Sequence, residues 1–109
     1  MKKYAVYITQ DAYNDLEEIR AYIAYMLFMP KAAVSYIKTI KETIKKLEYT
    51  ASAYKAIQEE PFISAGIRRV LAKKFYIYYF IEEKTNCVYV LTIIYAKMNQ
   101  KNVLSKISN

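Results

Sequence analysis

The chain contains no histidine and a single cysteine, Cys87. Without a second thiol no intrachain disulfide can form, and without imidazole there is no thiolate and imidazole cluster of the kind that holds zinc, so no metal and no cofactor is expected. Cys87 opens a predicted strand, where a small, buried or half-buried packing role is expected. Glycine occurs once, at Gly66, and proline twice, at Pro30 and Pro61. So few chain breakers, with 55% hydrophobic residues, argue for a packed globule and against a disordered or low-complexity chain. A long N-terminal apolar run is missing as well. MKKYAVYITQDAYNDLEE meets Asp and Glu before any such run develops, so neither a secretory leader nor a membrane span is expected, and the chain is expected in the cytoplasm. At 109 residues it has the length for one modest core, a single domain over residues 1–109.

Acid is scarce in one part of the chain only. Residues 1–60 hold nine Lys and Arg against eight Asp and Glu, and residues 61–109 hold eight against two, so the net +7 divides as +1 and +6. A cationic half raises the local concentration of anionic partners such as nucleic acid or an acidic protein segment. A general solubilising bias is the plainer alternative.

KYAVYIT alternates as a short strand, and Thr9 can cap the helix after it. Ala12, Leu16, Ile19, Ile23 and Met26 then recur at the helical period as one apolar stripe, with Asp11 and Asp15 early in the helix, where its dipole favours negative charge. Phe28–Pro30 reads as a tight connection, with Pro30 opening a second helix whose stripe is Ala33, Ile37, Ile40, Ile44 and Leu47. The two helices should form a hairpin. Residues 49–65 have no clean period, and Pro61 disfavours a regular helix there, which predicts a loop with at most one short helical turn. After Gly66 the period becomes two. GIRRVLA, FYIYYFI and CVYVLTIIY, separated by KK and EEKTN, predict an antiparallel three-strand meander. The fold class is therefore α+β, with a short C-terminal helix or a frayed tail after Met98.

The strand from Phe75 to Ile81 is apolar on both sides, with Phe75, Ile77, Tyr79 and Ile81 on one and Tyr76, Tyr78 and Phe80 on the other. Two helices can cover one side of such a sheet. The other would present an aromatic patch larger than soluble monomers usually tolerate, which implies a partner unless the loop over residues 49–65 or the tail folds across it. Partial cover is expected, leaving Tyr76, Tyr78 and Phe80 as partner contacts.

In order and spacing, YAVYITQDAYNDLEEIRAYI, PKAAVSYIKTIKETIKKL, GIRRVLAKKFYIYYFI and VYVLTIIYAKMN together resemble the RelE/ParE superfamily of bacterial type II toxins. The resemblance spans nearly the whole chain. It implies a compact α+β domain, a growth-inhibiting activity, neutralisation by a cognate antitoxin that would take Tyr76, Tyr78 and Phe80, and a homodimer or a heterotetramer with that antitoxin. Two mechanisms occur in the superfamily: RelE-like members cleave messenger RNA on the ribosome, and ParE-like members poison DNA gyrase.

Metal-free RNA cleavage needs a group to take the 2′-hydroxyl proton, cations for the phosphorane charge and an acid for the leaving oxygen. Without histidine the catalytic candidates are Arg69, Lys73, Tyr76 and Lys97. The target- or nucleic-acid-binding candidates are Arg68, Arg69, Lys73, Lys74, Tyr95 and Lys97. Against the RelE pattern, the strand arginine falls at Tyr76, the upstream lysine pair at Ile67 and Arg69, the closing-strand arginine at Lys97 and the C-terminal tyrosine near Val103. Lys97 keeps the charge but loses the arginine fork. The helical hairpin and GIRR are more ParE-like, although Tyr95 and Lys97 replace that family's usual His and Arg. The expectation is a ParE-like toxin. A ribosome-dependent messenger RNA endonuclease and a non-catalytic RNA- or protein-binding module are the alternatives. Each cation also has a plainer role. Arg68 or Arg69 can pair with Glu17, Glu18 or another helix acid, Lys73 and Lys74 can simply solvate a turn, and Lys97 can guard an edge.

Overall fold

In the computed structural model, which describes residues 2–60 and 62–98, the alternating stretch near the N-terminus forms β1 (Ala5–Ile8). The Thr9 side chain then caps helix α1 (Gln10–Ala21) by accepting the Ala12 N–H at 3.2 Å, with Asp11 in its first turn and Arg20 in its last. The same hydroxyl donates to the Val90 carbonyl at 2.9 Å and so ties the helix start to the sheet. Helix α1 runs into a π-helical turn, Tyr22–Met26. That wider turn breaks the predicted stripe, because the 3.6-residue spacing no longer aims its last member inward. Ile23 stays buried, whereas Met26 is 69% exposed.

Phe28 makes the reversal with φ +55°, and Pro30 sits at the first position of α2 (Pro30–Thr50). Its inner stripe is buried at Ala33, Ile40, Ile44 and Leu47 and half-buried at Ile37. Helix α2 overruns the predicted loop start at 49 and tightens into a 3₁₀ turn, Ala51–Ala53. Residues Phe62–Ala65 form a second short turn, α3, so the segment holds two helical turns where at most one was expected. Gly66, at φ +68°, ends α3 while its N–H bonds the Ile63 carbonyl and the Ile67 N–H bonds the Phe62 carbonyl, a left-handed cap that suits glycine.

Strands β2 (Arg68–Ala72), β3 (Phe75–Glu82) and β4 (Cys87–Tyr95) form the expected antiparallel meander. The sheet order is β1-β4-β3-β2, with β1 parallel to β4. Parallel neighbours need a long crossover, and the helical hairpin supplies it. Both helices pack on one side of the sheet around Ile77, Tyr79, Val88, Val90 and Ile93. Between Tyr78 and Tyr79 the β3–β4 register shifts, leaving Leu91 as the extra residue. There the buried Asp15 carboxylate of α1 accepts the Thr92 hydroxyl and, at 3.0 Å, the Ile93 N–H. The bulge is satisfied from the helix layer.

The opposite side of the sheet is not bare. Phe62, Ile67, Tyr78 and Ile94 form a second cluster, with Ile57, Tyr76, Phe80 and Leu91 packed against it. The expectation that Tyr78 offers a surface contact is thereby corrected: Phe62, from the segment after α2, lies 6.2 Å from its ring, and Tyr78 is fully buried. Tyr76 and Phe80 stay half-exposed. Among the described residues no helix is long and apolar enough to cross a membrane. The predicted tail helix and Val103 lie outside the described residues.

Candidate functional site

The two arginines that open β2 have separate tasks, because neighbours in a strand point to opposite sides. Arg68 reaches the end of α2, where its guanidinium donates to the carbonyl of Tyr54 and, at 3.5 Å, to that of Ser52. Opposite it in register, the Tyr79 hydroxyl donates to the Ala51 carbonyl at 2.7 Å. A cation and a hydroxyl thus satisfy carbonyls that a helix end leaves without partners. Burial pushes the Tyr79 hydroxyl above its ordinary titration range, which keeps it a donor. Arg68 is therefore structural. Its suggested pairing with Glu17 does not occur, since Glu17 is bonded to Arg20 at 3.0 Å.

Arg69 turns to the other side. Its guanidinium carbon lies 4.1 Å from the Tyr76 ring centre, in cation–π contact, and Nη1 is 3.4 Å from the Tyr78 hydroxyl. The Tyr76 and Tyr78 rings meet edge to face at 6.2 Å. Arg69 and Tyr76 are half-buried, and Tyr78 is fully buried.

The remaining candidates gather at the far end of the sheet. Lys73 makes the β2–β3 turn with φ +55°, and its ammonium lies 5.0 Å from the Tyr36 ring centre. The Lys74 carbonyl accepts the Ala96 N–H at 2.8 Å, which brings the chain just before Lys97 beside the hairpin turn. Tyr95 pairs with Phe75 at 5.8 Å, and Phe75 meets Tyr36 edge to face. Lys73, Lys74, Tyr95 and Lys97 are all exposed. Four residues of strand, about 13 Å, separate them from Arg69. The candidates thus form two groups.

Beside the second group lies a feature that the sequence-based expectations did not include. A groove of about 740 Å³ runs between the sheet end and the helical hairpin, lined by Tyr22, Ile23, Leu27, Met29, Phe75, Tyr95 and Met98, with Glu18 and Lys74 among its polar residues. The hairpin tip above it is open: Tyr25 is 67% and Phe28 86% exposed. One signal marked it in the sequence, since no charge occurs from Ala21 to Pro30. An exposed apolar surface of this kind is a docking feature. No group of Cys, Asp and Glu among the described residues could hold a metal ion.

The family model described as ParE toxin of type II toxin-antitoxin system, parDE, matches residues 6–100. The chain belongs to the ParE toxin family. In this ParE-family chain the match takes in β1 through β4, with both candidate groups and the groove. Solved structures agree on the fold. The chromosomal ParDE TA system from P. aeruginosa gives a TM-score of 0.71 at 20% identity, covering 87% of this chain and 98% of that one. The toxin-antitoxin complex RelBE2 from Mycobacterium tuberculosis gives 0.60 at 18% identity, covering 85% and 98%. A mutant of the E. coli toxin RelE in the free state gives 0.64 at 12% identity, covering 97% and 95%. No curated protein matches the sequence. At 12–20% identity these likenesses are of the fold.

Proposed function

We propose that this toxin acts on a protein target, DNA gyrase first, and not as a messenger RNA endonuclease. The observation that carries the reading is the cluster of Arg69 and Tyr76. Where the RelE-like pattern has a strand arginine this chain has Tyr76, and the neighbouring guanidinium lies against that ring. A phosphoryl site needs several converging cations, whereas here Arg68 bonds backbone carbonyls and Lys73 lies over Tyr36. Exposed lysines beside an apolar groove suit a protein surface better than a scissile phosphate.

Two assays decide it. Purified toxin should inhibit supercoiling by gyrase and leave messenger RNA on purified ribosomes intact. Losing a transition-state donor costs on the order of 10² in rate, so the missing arginine should be plain in the second assay. Codon-edge cleavage that disappears in Arg69→Ala and Lys97→Ala would restore the nuclease reading, and unaffected supercoiling would remove gyrase as the target.

The neutralising partner in this reading is a cognate antitoxin. Two of the similar structures are a ParDE system and a RelBE2 toxin-antitoxin complex. An acidic amphipathic segment suits the groove, with its apolar side against Leu27, Met29 and Phe75 and its carboxylates toward Lys73, Lys74 and Lys97. Tyr76 and Phe80 remain as further contacts on the other side of the sheet. Tyr78 does not.

A further inference from the structure

The outer face of α2 is basic. At about 100° per residue, Lys31, Lys38, Lys41, Lys45 and Lys46 fan over roughly 140° of the helix, on the side opposite the buried Ala33, Ile40, Ile44 and Leu47. All five are exposed. Lys31, Lys38 and Lys45 recur with about 10 Å of rise between neighbours, and Lys3 extends the row at its far end by lying 5.8 Å from the Tyr49 ring centre. Within the fan the only acid of α2 is Glu42. The +1 balance of residues 1–60 hides this row, because six of its eight acids stand outside α2.

The row is not neutralised within the chain. Among the described residues the ion pairs are Lys2 with Glu83 and Arg20 with Glu17, so no lysine of α2 takes part in one. Across the hairpin, the Glu17 carboxylate is held below its usual range first by its bond to Arg20 and only then by the charge of Lys41. Lys41 and Lys45, four residues apart, repel each other and disfavour the helix that carries them. Their charge is available to an anion from outside.

We propose that this face binds the phosphate backbone of duplex DNA, with α2 along the major groove and its lysines reaching both walls. A helix that enters a membrane surface does so with its apolar side, and that side of α2 is in the core. A protein interface has an apolar centre, whereas the exposed apolar side chains of this face, Val34 and Tyr49, stand near its two ends. The major groove of B-DNA, about 12 Å wide, admits an α-helix, and the deep, narrow groove of A-form RNA does not. Helix α2 contains no Arg, Asn or Gln, the side chains that pair bidentately with purine edges. Binding is therefore by charge and independent of sequence. Lys73, Lys74 and Lys97, at the end of the sheet, are not part of this row.

Fluorescence anisotropy of a labelled duplex of about 20 base pairs, titrated with the full chain, tests the proposal. No gyrase is in the sample, so the outcome is separate from that of the supercoiling assay. At about 50 mM salt, two unrelated sequences should bind with the same Kd, on the order of micromolar, and log K should fall against log salt with a slope of about −4. Lys38→Gln with Lys45→Gln should weaken binding at least about 10-fold and reduce the slope by about 2. The same charge removed by Lys55→Gln with Lys84→Gln, both exposed and off the row, should leave the slope unchanged and Kd within about 2-fold. Glu42→Gln should tighten binding. Absence of binding at that salt, equal losses in the two double variants, or weaker binding by Glu42→Gln overturns the proposal. Tighter binding to duplex RNA of the same length, to polyglutamate or to phosphatidylglycerol vesicles overturns DNA as the occupant.

Discussion

Tyr79 donates its hydroxyl proton to the Ala51 carbonyl at 2.7 Å from inside the core, and that single bond can be followed by pH. Burial raises the pKa of the folded tyrosine above its ordinary value of 10.0, so above that pH the unfolded chain releases a proton that the folded chain retains. Stability from this group is fully present below the unfolded pKa and declines as pH rises beyond it. Tyr79→Phe should cost about 1 kcal/mol in urea unfolding at neutral pH, and its deficit against wild type should shrink as pH is taken above about 10. A gap that stays constant would mean that the hydroxyl does not titrate as the burial demands. Arg68 and Arg69 show how far the sequence can be read at single positions. Their alternation was legible, and so was the fact that only one could face the helices. The target of Arg68, carbonyls 14 and 16 residues earlier, was not, because no local pattern encodes which helix end a strand will meet.

Among the secondary-structure elements, the helical hairpin combines backbone strain with exposure at its tip. A phenylalanine at φ +55° sits where glycine would cost less, by about 1 kcal/mol, and its ring is 86% exposed. Phe28→Gly should therefore leave stability unchanged or raise it by up to about 1 kcal/mol. By contrast Ile23→Ala, one turn earlier and buried, should lower it by about 2–4 kcal/mol. Equal losses in urea unfolding would place Phe28 in the core and remove the exposed tip. The helices themselves were legible because each buries one stripe at one period. Three features were not: the π turn, α2's extension past residue 49 and the cover over Tyr78. YIAYM holds no breaker to mark a π turn. Helix α2 continues into carbonyls held by Tyr79 and Arg68, and Tyr78 is covered by Phe62; all are contacts between distant parts of the sequence. The groove escaped for the same reason, since its walls come from α1, α2, β3 and β4.

Across the molecule, charge and apolar surface stand at the same end. The groove opens beside Lys73, Lys74 and Lys97, so the cognate antitoxin's acidic segment should stabilise the folded toxin by about 2.7 kcal/mol at a free concentration 100 times its Kd. On a domain of this size that is a rise in Tm on the order of 10 °C. Thermal melting with the neighbouring gene's product tests it, and reversing all three lysines to Glu should abolish most of the rise. An unchanged shift in that triple variant would move the antitoxin elsewhere. The sheet order has a further consequence, for the chain as it is made. Strand β1 has its place beside β4, with Ala5 level with Cys87, so the first strand synthesised must wait for the last. A nascent polypeptide that has emerged only as far as Asn86 has no seat for β1, and its helices have only part of a sheet to pack on. The four-stranded sheet, and the surface built on it, is complete only once β4 has emerged.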